Sequence, residues 1–218
     1  MNPFFEQAEP LIARGAVSAA TPLLEKGLEL MPADWKPRVE HPDRLEVAFW
    51  DRADFVAYVT HTKPTKQVLW VLPSYSRACY HVGFAAVERQ DLAGAERWID
   101  RGLALEPDHP LLLCEKGLVL GQSRRREDAL AFYQRATRTF PWNASWTARA
   151  HRGLGFELVE LRQLDAAEAE FRRSLELDPG NKVATHELLV IADLRRGTVK
   201  GIASGLTRGG GEDEARRN

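Results

Sequence analysis

The chain has 218 residues, enough for one sizeable core or a short array of stacked units but not for two large independent domains. Lys and Arg number 30 against 31 Asp and Glu, so a net charge of −1 gives no global pull toward nucleic acid or an anionic membrane. Every apolar run falls short of the roughly 20 residues of a membrane span. The stretch Met1 to Gln7 lacks the basic start of a secretory signal, and Cys79 and Cys114 form neither a disulfide framework nor a metal motif, which fits a reducing cytoplasm.

Residues 1–34 place small residues at Ala8, Ala20 and Gly27, a large apolar one at Leu24 and a proline at Pro32. The same intervals return three times further along, so this segment reads as a degenerate helix pair. Residues 35–75 do not share them. Within this insertion, Arg44 to Trp50 alternates with Leu45, Val47 and Phe49 on one face, and Lys66 to Leu72 is β-branched and aromatic between Pro64 and Pro73. Both read as short strands. Between them Asp51 is a candidate N-cap, and Phe55, Val56 and Val59 share the face of a helical turn. The expectation is a strand-helix-strand insertion. One long helix over 44–61 is the rival, because Leu45, Ala48, Phe49 and Arg52 also fit helical spacing. Exposed strands carry open edges, so the insertion is expected to pack on the rest of the chain or on a partner.

Residues 76–180 hold three copies of one unit, at 76–109, 110–143 and 146–180. Gly83, Gly117 and Gly155 each precede a proline (Pro107, Pro141, Pro179) by 24 residues. Ala95, Ala129 and Ala167 follow the glycine by 12 residues, Ile99, Tyr133 and Phe171 by 16, and Gly102, Ala136 and Ser174 by 19. The proline period is 34 residues and then 38, so four extra residues lie near Trp142 to Trp146 in a longer connection or helix end. Each copy reads as two helices, the first pair over 74–88 and 92–105 with Gln90-Asp91 as the turn and Asp91 as a cap. Small residues are needed where paired helices cross closely, large ones fill the groove to the neighbour, and proline stops the unit. Gly153 and Gly155 lie inside a predicted helix and serve packing. Residues 181–196, with Val183, Leu188, Leu189, Ile191, Ala192 and Leu194 among charged residues, read as a capping helix. Residues 197–218 are glycine-rich, of mixed charge and poor in apolar residues, and are expected to form a disordered tail.

These columns resemble the tetratricopeptide repeat, a 34-residue helix pair with small residues at its eighth, twentieth and twenty-seventh positions and proline near its end. The match is good over 76–181, loose over 1–34 and missing over 35–75. The tryptophan usual at the fourth position is replaced by Cys79, Leu113 and His151. The resemblance implies a mainly α fold, a right-handed α-solenoid of antiparallel helix pairs carrying the insertion, that serves as a protein–protein interaction scaffold. It also implies a concave groove built from the first helix of each unit. The family's groove positions fall on Arg77, Tyr80, His81, Phe84 and Glu88, then Cys114, Glu115, Leu118 and Gln122, then Arg149, Arg152, Phe156 and Glu160. The family's carboxylate-clamp subset reads a C-terminal acid with a lysine, asparagine and arginine set that this chain lacks. Arg77, Arg149 and Arg152 offer another way to hold a carboxylate, with Tyr80 and Phe84 as apolar anchors. The competing expectation is that these arginines are solvated or pair with Glu88, Glu115 and Glu160.

No motif in the chain nominates chemistry. The six histidines (His41, His61, His81, His109, His151 and His186) stand at no metal-ligand spacing, and no nucleophile elbow, phosphate loop or dinucleotide fingerprint is present. No catalytic residue, metal or cofactor is therefore expected. Cys79 and Cys114 read as buried thiols on neighbouring helices, since a redox pair requires α-carbons within about 7 Å. Arg124-Arg125-Arg126 runs straight into Glu127-Asp128 and reads as solvated charge. The expected protein is a cytoplasmic adaptor and not an enzyme, whose partner is another protein or peptide rather than nucleic acid or membrane. The alternative is a self-associating unit, a homodimer formed through Val68, Trp70 and Leu72 of the insertion.

Overall fold

The computed structural model describes residues 2–197. Helices α1 (Pro3–Ala13) and α2 (Val17–Glu29) form a first pair, after which β1 (Arg38–Glu40), β2 (Arg44–Val47), α3 (Arg52–Thr62) and β3 (Gln67–Trp70) interrupt the row. Three further pairs follow: α4 (Tyr75–Glu88) with α5 (Leu92–Leu105), α6 (Pro110–Gln122) with α7 (Arg126–Ala136), and α8 (Ala144–Glu160) with α9 (Leu164–Leu177). Helix α10 (Lys182–Arg196) closes the described chain, capped by the Asn181 side chain at its start and by left-handed Gly197 at its end. The expected tail lies, from residue 198 on, outside the described residues.

All four pairs turn through the same hydrogen-bonded device. Gly15, Gln90, Arg124 and Arg162 each adopt a left-handed backbone, with φ between 61° and 74°. The next residue's N–H reaches back five residues, from Ala16 to Leu11 O, Asp91 to Ala86 O, Arg125 to Leu120 O and Gln163 to Leu158 O, at 2.8–2.9 Å. This is the six-to-one bond of a Schellman cap, which satisfies a helix-end carbonyl that would otherwise be orphaned. The first, degenerate pair therefore folds as the others do. In α5 the Asp91 side chain accepts from the Gly94 N–H, as the sequence predicts.

The columns of the repeat meet in space. A Cβ added to Gly83 would stand 2.6 Å from Ile99 Cδ1, one on Gly117 would stand 2.8 Å from the Tyr133 ring, and one on Gly155 would stand 2.9 Å from the Phe171 ring. Each large side chain of a second helix thus lies on bare backbone of its own first helix. Ala95, Ala129 and Ala167 are fully buried beside these crossings. Tyr133 does more, because Gly153 of α8 meets the other edge of its ring, and so Tyr133 joins two repeats. Residues of α4, α6 and α8 also touch in sequence, forming the row of first helices that makes one wall of the array.

The insertion forms strands and a helix rather than one long helix. Strand β2 pairs antiparallel to β1, with Arg38 opposite Val47, and parallel to β3, with Arg44 opposite Gln67. The parallel pair requires a crossover, which α3 supplies. Asp51 caps α3 by accepting from the Asp54 N–H at 2.8 Å. The buried face of α3 differs from the expected one: Asp54 and Tyr58 are inside, Phe55 and Val59 are half-buried, and Val56 is 50% exposed. Strand β1 escaped the sequence reading because its three residues, Arg-Val-Glu, give no periodic signal.

The doubly seated ring of Tyr133 yields a test. Gly153→Ala would put a methyl 2.1 Å from the Tyr133 ring edge. Alanine's better helix propensity, worth about 1 kcal/mol, is outweighed by overpacking of about 1–3 kcal/mol. We expect a lower urea midpoint at unchanged m-value, with the penalty relieved when Tyr133→Leu is made in the same chain.

Candidate functional site

Residues of the insertion lie against the row of first helices. Trp50, in the connection between β2 and α3, is buried among Tyr80 of α4, Ile99 of α5, Leu112 of α6 and Trp146 of α8. Its ring stacks on His109 at 3.5 Å with an interplanar angle of 11°. The indole N–H donates to Glu106 Oε2 at 3.0 Å, and the Ser76 hydroxyl donates to the same oxygen. Burial pushes the Glu106 carboxyl above its ordinary range and holds His109 well below its own. Neither ring nitrogen of His109 has a hydrogen-bond partner among the described residues, so His109 serves the stack as a neutral aromatic plate.

The four extra residues of the last repeat explain a second contact. They add about one turn to the start of α8, which runs from Ala144 to Glu160 and so begins ahead of the repeat register. That turn and the loop before it carry Trp146, which packs on Trp50 and His109, and Trp142, which meets Tyr58 edge-on at 5.3 Å. The Trp142 indole donates to Asp54 Oδ1 at 3.3 Å. Burial raises the Asp54 carboxyl from 3.8 to about 7, only partly offset by that bond.

The candidate groove residues divide by what surrounds them. Tyr80, Cys114, Glu115 and Arg152 are buried, and Arg152 points to α9, donating to Ser174 Oγ at 3.2 Å and Asp178 at 3.3 Å. Arg149 binds Glu115 and donates to the Tyr80 hydroxyl at 3.1 Å. Glu160 accepts from Arg126 at 2.7 Å, and Phe156 packs edge-on against Phe171. Arg77 is held by Glu9 of α1 at 2.5 and 3.3 Å. The three arginines expected to hold a foreign carboxylate are therefore each bonded to a carboxylate of the chain itself. His81, Phe84 and Leu118 are half-buried, and Glu88 and Gln122 are exposed, which leaves the accessible part of the wall at the second halves of α4 and α6.

Sequence reasoning missed Trp50, His109, Trp142 and Trp146, the residues that bring the insertion onto the array. It located the four-residue extension without seeing what the extension touches. Cys79 and Cys114 sit buried on α4 and α6, and burial pushes the Cys79 thiol up to about 12, which makes it inert. Arg125 and Arg126 of the basic triplet are bonded to Asp128, Glu96, Glu157 and Glu160. Among the described residues no cluster of three or more His, Cys, Asp and Glu could hold a metal ion, and no helix is long and apolar enough to cross a membrane.

Two predictions follow from the docked insertion. Trp50→Ala removes the central plate of the stack and the partner of Glu106, and should cost about 3–5 kcal/mol, with faster amide exchange over 44–71 than over α8 and α9. The Asp54 contribution to stability is full below 3.8, falls as the pH rises because the native state keeps a proton the unfolded chain has lost, and levels off above about 7. In Asp54→Asn the difference in stability from wild type should accordingly grow between pH 4 and pH 7 in the variant's favour, read from urea midpoints at each pH.

Comparison with known proteins agrees with this architecture. Residues 148–181 match the family model described as Tetratricopeptide repeat. No curated protein matches the chain. Among solved structures, Pseudomonas aeruginosa pilF is similar at 16% identity, over 89% of this chain and 68% of its own, with a TM-score of 0.61. MamA 41-end from Desulfovibrio magneticus RS-1 is similar at 19% identity, over 90% of this chain and 85% of its own, with a TM-score of 0.56. The first TPR of Spaghetti (RPAP3), bound to the HSP90 peptide SRMEEVD, covers 57% of this chain and 97% of its own at 21% identity and a TM-score of 0.50. At such identities the likeness is one of fold: residues 148–181 match the tetratricopeptide repeat model, and the chain as a whole is an array of Schellman-capped helix pairs of the tetratricopeptide type with a small three-stranded unit inserted after its first pair.

Proposed function

We propose that the protein is a non-catalytic scaffold that holds a segment of another protein against the row of first helices. The observation that carries this reading is the division of that wall. Its first half, at the starts of α4, α6 and α8, is filled by Trp50 and its aromatic neighbours, while the second half presents Phe84, Leu118, Glu88 and Gln122 to solvent or half to solvent. An apolar strip with a polar rim suits an interface core. A related fold, the Spaghetti domain, is described as bound to an HSP90 peptide. Recognition of an acidic terminus in that manner is disfavoured here, since Arg77, Arg149 and Arg152 already serve Glu9, Glu115 and Asp178 respectively. Breaking the Arg149–Glu115 pair to admit a ligand leaves the buried Glu115 charge uncompensated.

Selection from a random peptide library displayed on phage tests the reading. Peptides enriched on the wild type should lose at least tenfold in affinity on Phe84→Glu with Leu118→Glu, measured on variant protein that circular dichroism shows to be folded. Enrichment of the same peptides on both proteins would remove the groove from consideration.

A second reading, self-association through the insertion, is favoured by one observation: Val56, Trp70 and Leu72 are 50%, 37% and 61% exposed, and β3 is an edge strand. Sedimentation equilibrium at high micromolar concentration should then show a dimer that Val56→Asp dissociates. A monomer under those conditions would eliminate it.

A further inference from the structure

A cavity of about 90 Å³ opens between the insertion and the first two repeats. Its walls are Phe5 and Ile12 of α1, Leu24 of α2, Phe49 and Leu72 of the insertion and Ala78 of α4. Arrays of helix pairs alone do not make this pocket, because Phe49 and Leu72 belong to the segment that breaks the repeat. Most of the wall is buried, yet Leu72 at the lip is 61% exposed. An apolar side chain entering here would cover Leu72 and gain about 25 cal/mol for each Å² removed from water.

The charges at the mouth are Glu6 and Glu9 of α1 and Arg77 of α4. Arg77 is bonded to both oxygens of Glu9, so that pair is neutral and Glu6 remains as exposed negative charge. The two helix starts that border the pocket do not reverse this sign. The Phe4 N–H is taken by Asn2 Oδ1 at 3.2 Å and the Arg77 N–H by Ser74 Oγ at 3.3 Å, so these capped ends have fewer donors left for an anion. Size decides the apolar part of the ligand. A cavity of about 150 Å³ takes a benzene ring, so a space of about 90 Å³ suits a branched aliphatic side chain rather than an aromatic one.

We propose that this pocket receives a leucine- or isoleucine-type side chain of a partner polypeptide that carries a lysine or arginine beside it. The proposal deepens the groove reading and rests on it, placing the first anchor of the bound segment at the α1–α4 end of the wall. The basic neighbour reaches Glu6, while the aliphatic group fills the space under Leu72.

Three fluorescein-labelled, capped five-residue peptides test it with the full chain: one leucine flanked by lysines, the same leucine flanked by glutamates, and serine flanked by the same lysines. By anisotropy the lysine-flanked leucine peptide should bind at least tenfold tighter than either of the others. Glu6→Arg should abolish that preference, and Leu72→Ser should weaken the first peptide several-fold. Both positions are exposed, so the variants should keep the wild-type melting temperature. Equal binding of the lysine- and glutamate-flanked peptides, equal binding of leucine and serine peptides, or no binding of any of them at millimolar concentration would overturn the proposal. Those outcomes leave the groove reading standing, since it is decided separately by Phe84→Glu with Leu118→Glu.

Discussion

The structure depends on bare backbone at the helix crossings. A helix pair of about 30 residues cannot bury enough surface to stand alone. Each of the last three pairs compensates by laying one large side chain of its second helix, Ile99, Tyr133 or Phe171, onto a glycine of its first helix, where any Cβ would come within 3 Å, and the first pair reverses the arrangement with Phe5 of α1 on Gly27 of α2. Close approach brings the two axes together and leaves the outer edge of the same side chain to meet the next pair. Tyr133 shows the consequence most directly, touching Gly117 behind and Gly153 ahead, so that one ring sets both the crossing inside its repeat and the step to the next. A row of first helices spaced in this way is rigid enough to serve as a wall.

On that wall the insertion is held by aromatic stacking whose polar atoms are only partly satisfied. Trp50 and Trp142 each direct an indole N–H inward, and each finds a carboxylate, half-buried Glu106 and buried Asp54. The carboxylates are pushed upward by burial and so favour their protonated forms. His109, stacked on Trp50 with both nitrogens unpaired among the described residues, is pushed the opposite way. Acid works against the stack through His109, and base works against it through Asp54. Docking is strongest between these limits.

The repeat was legible because its physics writes residue types at fixed intervals: glycine at the crossing, a large side chain opposite, proline at the end. The turn inside each repeat was less so. Gly15 announces a left-handed residue, but Gln90, Arg124 and Arg162 adopt the same backbone without a glycine to mark it. Such a position costs about 1–2 kcal/mol and is held by the Schellman bonds around it, which no single residue type reveals. The insertion's two longer strands and its helix were readable from alternation and from Asp51, whereas its docking was not, since Trp50 and His109 lie 59 residues apart. A usable signal did exist. Five of the six tryptophans lie outside the repeat columns, three in the insertion and two at the longer connection into the last repeat. Two departures from a periodic pattern that are both rich in tryptophan are natural partners for each other.

Internal pairing of the arginines shapes what the wall can recognise. Arg149 is wedged against fully buried Glu115 and hydrogen-bonded to Tyr80, which itself supports Trp50, so the charge that resembles a carboxylate receptor is part of the insertion's seat. Arg152 is tied to α9 and Arg126 to Glu157 and Glu160, joining neighbouring helices in the same manner. Pairs this enclosed gain less from Coulomb attraction than they would lose by separation, and they contribute geometry rather than affinity for a foreign ion. Discrimination among partners must then come from the groups still open to solvent: the half-buried apolar strip of Phe84 and Leu118, the carboxylates of α1 and α4, and the lip formed by Leu72. In the proposed scaffold, with Arg77, Arg149 and Arg152 committed and Glu6 and Glu88 exposed, acidic segments are disfavoured and apolar ones with basic flanks are favoured.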